Sequence, residues 1–404
     1  MPDVSTNRYS SPAQALAGGP LAGVKVAVQP NISVKDQPCH AGSRARAGYI
    51  ALEDATAVAR LSRAGAVLNV SSSMAELGFG TAGDTTARGL VDGRADLALV
   101  TDTMGEARAA AAAAGLFGFK PSYGLISRYG LIGLVPSMEC IGMVAAHPAQ
   151  FREALAVMAG ADPNDPSMPD DCAAGFCGQP PPIAELPVAG VINECLDSLD
   201  ATERNAFEAR IARLAEAGFP IKTVSLPQYG LFRDAHHVIA AVEASSSAGK
   251  YDGVRYGHRC PTSKNWNEMY LNTRAESFGP LIKPFLFQGA YFQFENDTAF
   301  ENACRIRGRL LRAVAGLLGQ VDLLVLPTRR PALDPAQAAT VEATYSAFAL
   351  TLPANVTGQP VLQMPDPTLA ADTDMGLQII GPRLDDARLL SIGLHLSSTA
   401  CEGR

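Results

Sequence analysis

The chain has 404 residues, 47% of them apolar, and its 33 Lys and Arg against 40 Asp and Glu give a formal charge of −7. That composition suits a soluble globular protein with a large core and excludes wholesale disorder. The acidic balance disfavours a general attraction to nucleic acid or to an anionic membrane, and neither partner is predicted.

The first residues, MPDVSTNRYSSPAQALAGG, contain no apolar run that could act as a secretory signal, so a cytoplasmic location is expected. Leu21–Val28 reads as a short buried strand. Asp54–Ala64 has helical periodicity, and Gly65 turns it into a strand over Ala66–Val70. A third strand is predicted at Ala95–Val100. The alanine run Ala107–Gly115 that follows is too short and too small in side chain to span a membrane. Gly160–Gly190 is rich in turn formers and proline, which excludes a regular helix or central strand. It is expected to be a flexible connection, at about 160–190, inside one domain covering 1–404. Beyond it, the helix Ala201–Ala217, the turn Gly218-Phe219-Pro220 and the strand Ile221–Val224 repeat the earlier unit. Val321–Leu326 and Gly376–Ile380 supply further strands. Repetition of helix, glycine and strand predicts an α/β fold, a mixed central sheet covered by helices.

Eight cysteines show no disulfide framework, and the Cys172, Cys177 pair has neither a second pair nor a nearby histidine to complete a metal site. The histidines His40, His147, His236, His237, His258 and His395 are scattered. Adjacent His236 and His237 point differently on a helix and form no chelating pair there. No metal or cofactor is predicted. Cys140, in SMECIG, invites a thiol nucleophile, but no histidine is close in sequence to activate it, and a buried inert thiol is the plainer reading.

The stretch Thr101–Gly142, TDTMGEARAAAAAAGLFGFKPSYGLISRYGLIGLVPSMECIG, resembles the nucleophile segment of the amidase signature enzymes, particularly the glutaminase component of tRNA-dependent amidotransferases. Asp102-Thr103-Met104-Gly105-Glu106 stands where that family carries DTGGS, and Lys120-Pro121-Ser122-Tyr123-Gly124 follows as in the family. Pro20–Val28, Asp54–Gly65, Met74–Gly80, Glu243–Arg259, Val321–Thr328, Pro353–Pro360 and Gly376–Gly381 match in the same order. The resemblance implies the amidase signature fold over almost the whole chain.

It also implies where the chemistry should be, and there the chain departs from the pattern. The family's catalytic lysine position is Gln29, in Gln29-Pro30-Asn31; its bridging serine maps to Ala82; its nucleophilic serine maps to Glu106. An amide cannot cycle as a base, a methyl carries no proton, and a carboxylate opposes a developing oxyanion. These three are degenerate catalytic positions, and no standard catalytic residue is assigned. Arg108 is read as a partner for Glu106 or Asp102, or else as a contact for an anionic ligand. Tyr123, Ser127, Arg128 and Arg255 are candidate pocket contacts, with core packing or an interface rim as the alternatives. Trp266 is read as a lid contact or a partner anchor.

The functional expectation is a catalytically inactive amidase homologue serving as a structural or regulatory subunit of a protein assembly, with an active amidase relative as one candidate partner. The alternatives are a small polar metabolite bound in the degenerate pocket, or an atypical hydrolase working through altered residues such as Glu106.

Overall fold

The computed structural model describes residues 18–172, 176, 183, 185–330, 337–369 and 374–402. Ten short strands form one sheet: β1 Lys25–Val28, β2 Val67–Val70, β3 Leu97–Asp102, β4 Phe117–Lys120, β5 Cys140–Ala145, β6 Ala189–Ile192, β7 Ile221–Val224, β8 Leu323–Pro327, β9 Val361–Met364 and β10 Leu377–Ile380. Their order is β2-β1-β3-β5-β4-β9-β10-β8-β6-β7. The flanks are parallel (β2, β1, β3 and β8, β6, β7), while every pairing between β3 and β8 is antiparallel. The fold is therefore the mixed sheet under helices that the repeated units predict.

Strands β3, β5 and β8 are buried at every position, which is why they read as continuous apolar runs rather than as alternation. β3 runs to Asp102, past the predicted end at Val100, because its antiparallel register with β5 continues as far as Asp102 opposite Cys140. The first strand is shorter than its apolar stretch: Leu21 donates its N–H to Ala64 in a turn, and ladder pairing begins at Lys25.

The alanine run forms the helix Glu106–Ala113. Its small side chains let it lie close on the sheet. A Cβ added at Gly118 would sit 2.8 Å from the Ala111 Cβ, and one at Gly142 would sit 2.8 Å from the Ala107 Cβ. Bulkier residues on either side would push the helix away, so helix and sheet fix each other's composition here. In the second half, Asp200 caps the helix Ala201–Glu216 in reciprocal hydrogen bonds with Glu203. Four further helices, Leu231–Ser247, Trp266–Ser277, Ile282–Phe294 and Asp297–Leu318, follow β7.

The connection expected at about 160–190 is tied down over its described first part. Asp162 accepts from Thr56 Oγ1 at 2.5 Å and Ser127 Oγ at 2.6 Å, and Asp165 accepts from the Arg128 N–H at 2.7 Å. Cys177 lies outside the described residues. Among the described residues, no helix is long and apolar enough to cross a membrane.

Candidate functional site

Three pieces of chain meet at the carboxyl ends of β1 and β3: the residues after β1, the loop Gly78–Asp84, and the turn from β3 into the helix Glu106–Ala113. Gly105 makes that turn with φ +124, and a Cβ there would lie 2.3 Å from both Cβ and Oγ1 of Thr351. Glycine is required for conformation and for space. The turn aims successive backbone N–H groups inward, and Glu106 folds back over them. Its Oε2 accepts from the N–H of Thr103 at 2.7 Å, Met104 at 2.8 Å and Gly105 at 3.2 Å, and its Oε1 lies 3.5 Å from the Gly80 N–H.

Glu106 is 2% exposed. Burial pushes its carboxyl up to about 7, helped by the charge of Asp102 and opposed by the converging N–H groups. Near neutral pH the group is divided between its acid and its base, the state a proton-transfer group needs.

Gln29 is buried in a second network. Its Oε1 accepts from the Thr101 N–H at 2.9 Å and from Thr101 Oγ1 at 2.8 Å, and its Nε2 donates to Asp84. Burial raises the Asp84 carboxyl against the opposing hydrogen bonds of Thr86 and Gln29. Ala82 is exposed on the loop; its neighbours Gly80 and Asp84, not Ala82 itself, reach Glu106 and Gln29.

Arg108 is fully buried. It forms an ion pair with both oxygens of Asp102, at 2.9 and 3.1 Å, and donates also to Thr351 O at 3.0 Å, to Gln378 and to Asn355. Asn355 returns hydrogen bonds to Asp102 from its amide. Burial raises Asp102, but the Arg108 charge outweighs it and holds the carboxyl below its ordinary range. Arg108 is thus the keystone under the β3 turn, and the ligand-contact alternative fails because its donors are directed at protein.

The remaining candidates do not gather around Glu106. The Tyr123 hydroxyl donates to Pro136 O at 2.8 Å, and Ser127 is held by Asp162. Arg128 pairs with Glu139 and reaches Ser167 Oγ at 3.3 Å. Arg255 is exposed, its guanidinium carbon 5.7 Å from the Tyr256 ring centre, and Trp266 is exposed as well. Burial pushes the Cys140 thiol up to about 12, which leaves it no thiolate at neutral pH. Among the described residues, no group of three or more metal-capable side chains converges.

Sequence reasoning passed over the aromatic cover. Phe79, the residue before Gly80, stacks on Phe285 at 4.4 Å, with Tyr345 at 6.4 Å and 6.5 Å from the two rings; His237 packs on both Phe285 and Tyr345. His236 was also missed. The signal was present: Phe232, Ala235, His236, Ile239 and Ala240 lie on the buried face of one helix, at the spacing that marks an inward stripe.

A mixed ten-stranded sheet, with a helix that opens after β3 on a carboxyl buried in a backbone N–H cradle, is an α/β fold with a built polar site. The chain belongs to the amidase family: the family model described as Amidase matches residues 6–93 and 92–390. It is 34% identical to the A component of the glutamyl-tRNA(Gln) amidotransferase of Natronomonas pharaonis, over 94% of this chain and 96% of that protein. The corresponding component from Halobacterium salinarum is 33% identical over the same shares. Among solved structures, an amidase superposes with a TM-score of 0.75 at 24% identity, covering 94% of this chain and 85% of that one. The A component of the Thermotoga maritima glutamyl-tRNA(Gln) amidotransferase gives 0.73 at 23% identity, over 94% and 84%.

These relatives overturn the expectation of an inactive structural or regulatory subunit. Over nearly its full length the chain is similar to proteins named for amide transfer, and the weight falls on amide chemistry rather than on its loss. The physical reason for the error is that Gln29, Ala82 and Glu106, read as replacements for a lysine and two serines, would exclude one mechanism only. Glu106 is itself a titratable group placed in the cradle.

Proposed function

We propose that the protein is an amide-processing component of the amidotransferase type, with Glu106 as its proton-transferring group. The observation that carries this reading is the Glu106 carboxyl, held by the N–H groups of Thr103, Met104 and Gly105 and balanced near pH 7. As carboxylate, Glu106 takes a proton from water while the water oxygen adds to the carboxamide carbon. As carboxylic acid, it returns that proton to the nitrogen; the C–N bond breaks, and ammonia and a carboxylic acid leave. The step needs no acyl-enzyme, and Gln29 offers no base to generate one. The cradle could receive an oxyanion only after the carboxyl turned away, so its role here is to position Glu106. Substrate reaches the group when the Gly80–Asp84 loop or the aromatic cover of Phe79, Phe285 and Tyr345 moves aside. The relatives from Natronomonas pharaonis and Halobacterium salinarum are each one component of a larger enzyme by name, which supports a protein partner as well.

Ammonia release from glutamine and a panel of primary carboxamides tests the proposal, on protein isolated with its natural partners. The expected result is turnover whose rate titrates near pH 7 and falls at least about 100-fold in Glu106→Gln. Release no faster than without protein, or equal release by the variant, overturns it.

A further inference from the structure

The helix Leu231–Ser247 places His236 with no exposure against the turn after β3. Its Nε2 lies 3.0 Å from the Thr103 carbonyl oxygen and its Nδ1 3.0 Å from the Tyr345 hydroxyl. A carbonyl can only accept, so Nε2 carries the proton and Nδ1 accepts from the tyrosine. The Thr103 carbonyl belongs to the same peptide unit as the Met104 N–H, which donates to Glu106 at 2.8 Å. A hydrogen bond at one end of an amide polarises it and strengthens the donor at the other end. The next peptide is built the same way: Thr351 Oγ1 donates to the Met104 carbonyl, and the Gly105 N–H of that unit faces Glu106 at 3.2 Å.

We infer that His236 is a positioning residue for the Glu106 carboxyl, acting through the Thr103–Met104 peptide, with the Thr103 carbonyl fixing its tautomer and Tyr345 donating to its Nδ1. The inference rests on Glu106 being the working group, but its test does not need turnover. Burial pushes the imidazole down to about 4, so His236 stays neutral across the range in which Glu106 titrates, and its influence is a hydrogen bond rather than a charge. The other groups that bear on Glu106 are Asp102 at the end of β3, paired with Arg108, and Tyr345 on the helix Val341–Phe348.

The experiment is infrared titration of the Glu106 carboxyl in the full chain, taken as the difference from Glu106→Gln, in His236→Leu and His236→Gln. Leucine removes the donor at similar volume, and the glutamine amide can still reach the carbonyl. The expected result is a rise of about 0.3 pH unit in the Glu106 midpoint for leucine, because the lost bond acts on the Met104 N–H only through its peptide, at roughly 10–30% of a hydrogen bond's strength, and less than half of that for glutamine. No shift with leucine, or an equal shift with both, overturns the inference. Tyr345→Phe leaves the packing in place and removes the donor to Nδ1, while the Thr103 carbonyl keeps the proton on Nε2. It is expected to raise the midpoint by less than leucine does; if His236→Leu does not fold, His236→Met, which also lacks the donor, is read in its place, and an unmoved midpoint there overturns the inference. Loss of the amidase reading would show separately, as absent ammonia release with the Glu106 midpoint still coupled to His236.

Discussion

Replacing Glu106 with Gln should change how stability depends on pH, and the structure sets the size. The carboxyl titrates at about 7 when folded against 4.5 as its ordinary value, a difference of about 2.5 units. A folded value raised above the unfolded one means that the native state holds the proton more tightly. The stabilisation is therefore fully present below about pH 4.5 and is lost as pH rises through 7. At about 1.4 kcal/mol per unit, the loss comes to about 3 kcal/mol. Glutamine carries no such term. Its amide oxygen can accept from the cradle, while its NH2 sits among donors and costs about 1–3 kcal/mol at every pH. The informative quantity is accordingly the change in the difference between variant and parent. Asp84 and Asp386 are also raised by burial, but they are present in both proteins and cancel to first order. Urea unfolding of both proteins between about pH 4.5 and pH 8.5 should show the variant gaining about 3 kcal/mol on the parent. A difference flat to within about 0.5 kcal/mol would refute the argument that Glu106 is buried and raised.

Two further substitutions test the frame around the site. Arg108→Met strands Asp102 as a buried unpaired carboxylate and should cost about 3–5 kcal/mol in chemical denaturation; a loss under about 1 kcal/mol would mean that the ion pair is not as buried as described. Gly105→Ala forces a Cβ to within 2.3 Å of Thr351 at a φ of +124, so a loss above about 3 kcal/mol is expected, and a fully stable variant would show that the turn after β3 is built differently.

Most of the frame was legible because burial and chain direction leave a local record. The β3 segment is apolar at successive positions since helices cover both faces of its sheet, and Gly65, Gly105 and Gly218 mark turns at positive φ. The ordered patches from Pro20 to Gly381 pointed to the family. The functional reading went wrong at one step: it took three changed side chains as an emptied site. Sequence can say that Glu106 is not serine; it cannot say that three N–H groups converge on its carboxyl. Likewise Arg108 was left between two partners, and only the packed structure adds Thr351, Asn355 and Gln378.

By itself, then, the sequence determined the mixed α/β fold and the family; that Gln29 and Glu106 stand at neighbouring strand ends follows from the pairing of β1 with β3. Tertiary structure decided which groups act together. His236 stands 133 residues from Thr103, and Arg108 stands 247 from Asn355. Periodicity encodes how each residue faces its own core over a few turns. Hydrogen bonds between distant segments, and the burial that moves a carboxyl from 4.5 to about 7, arise only once those segments pack and water is gone.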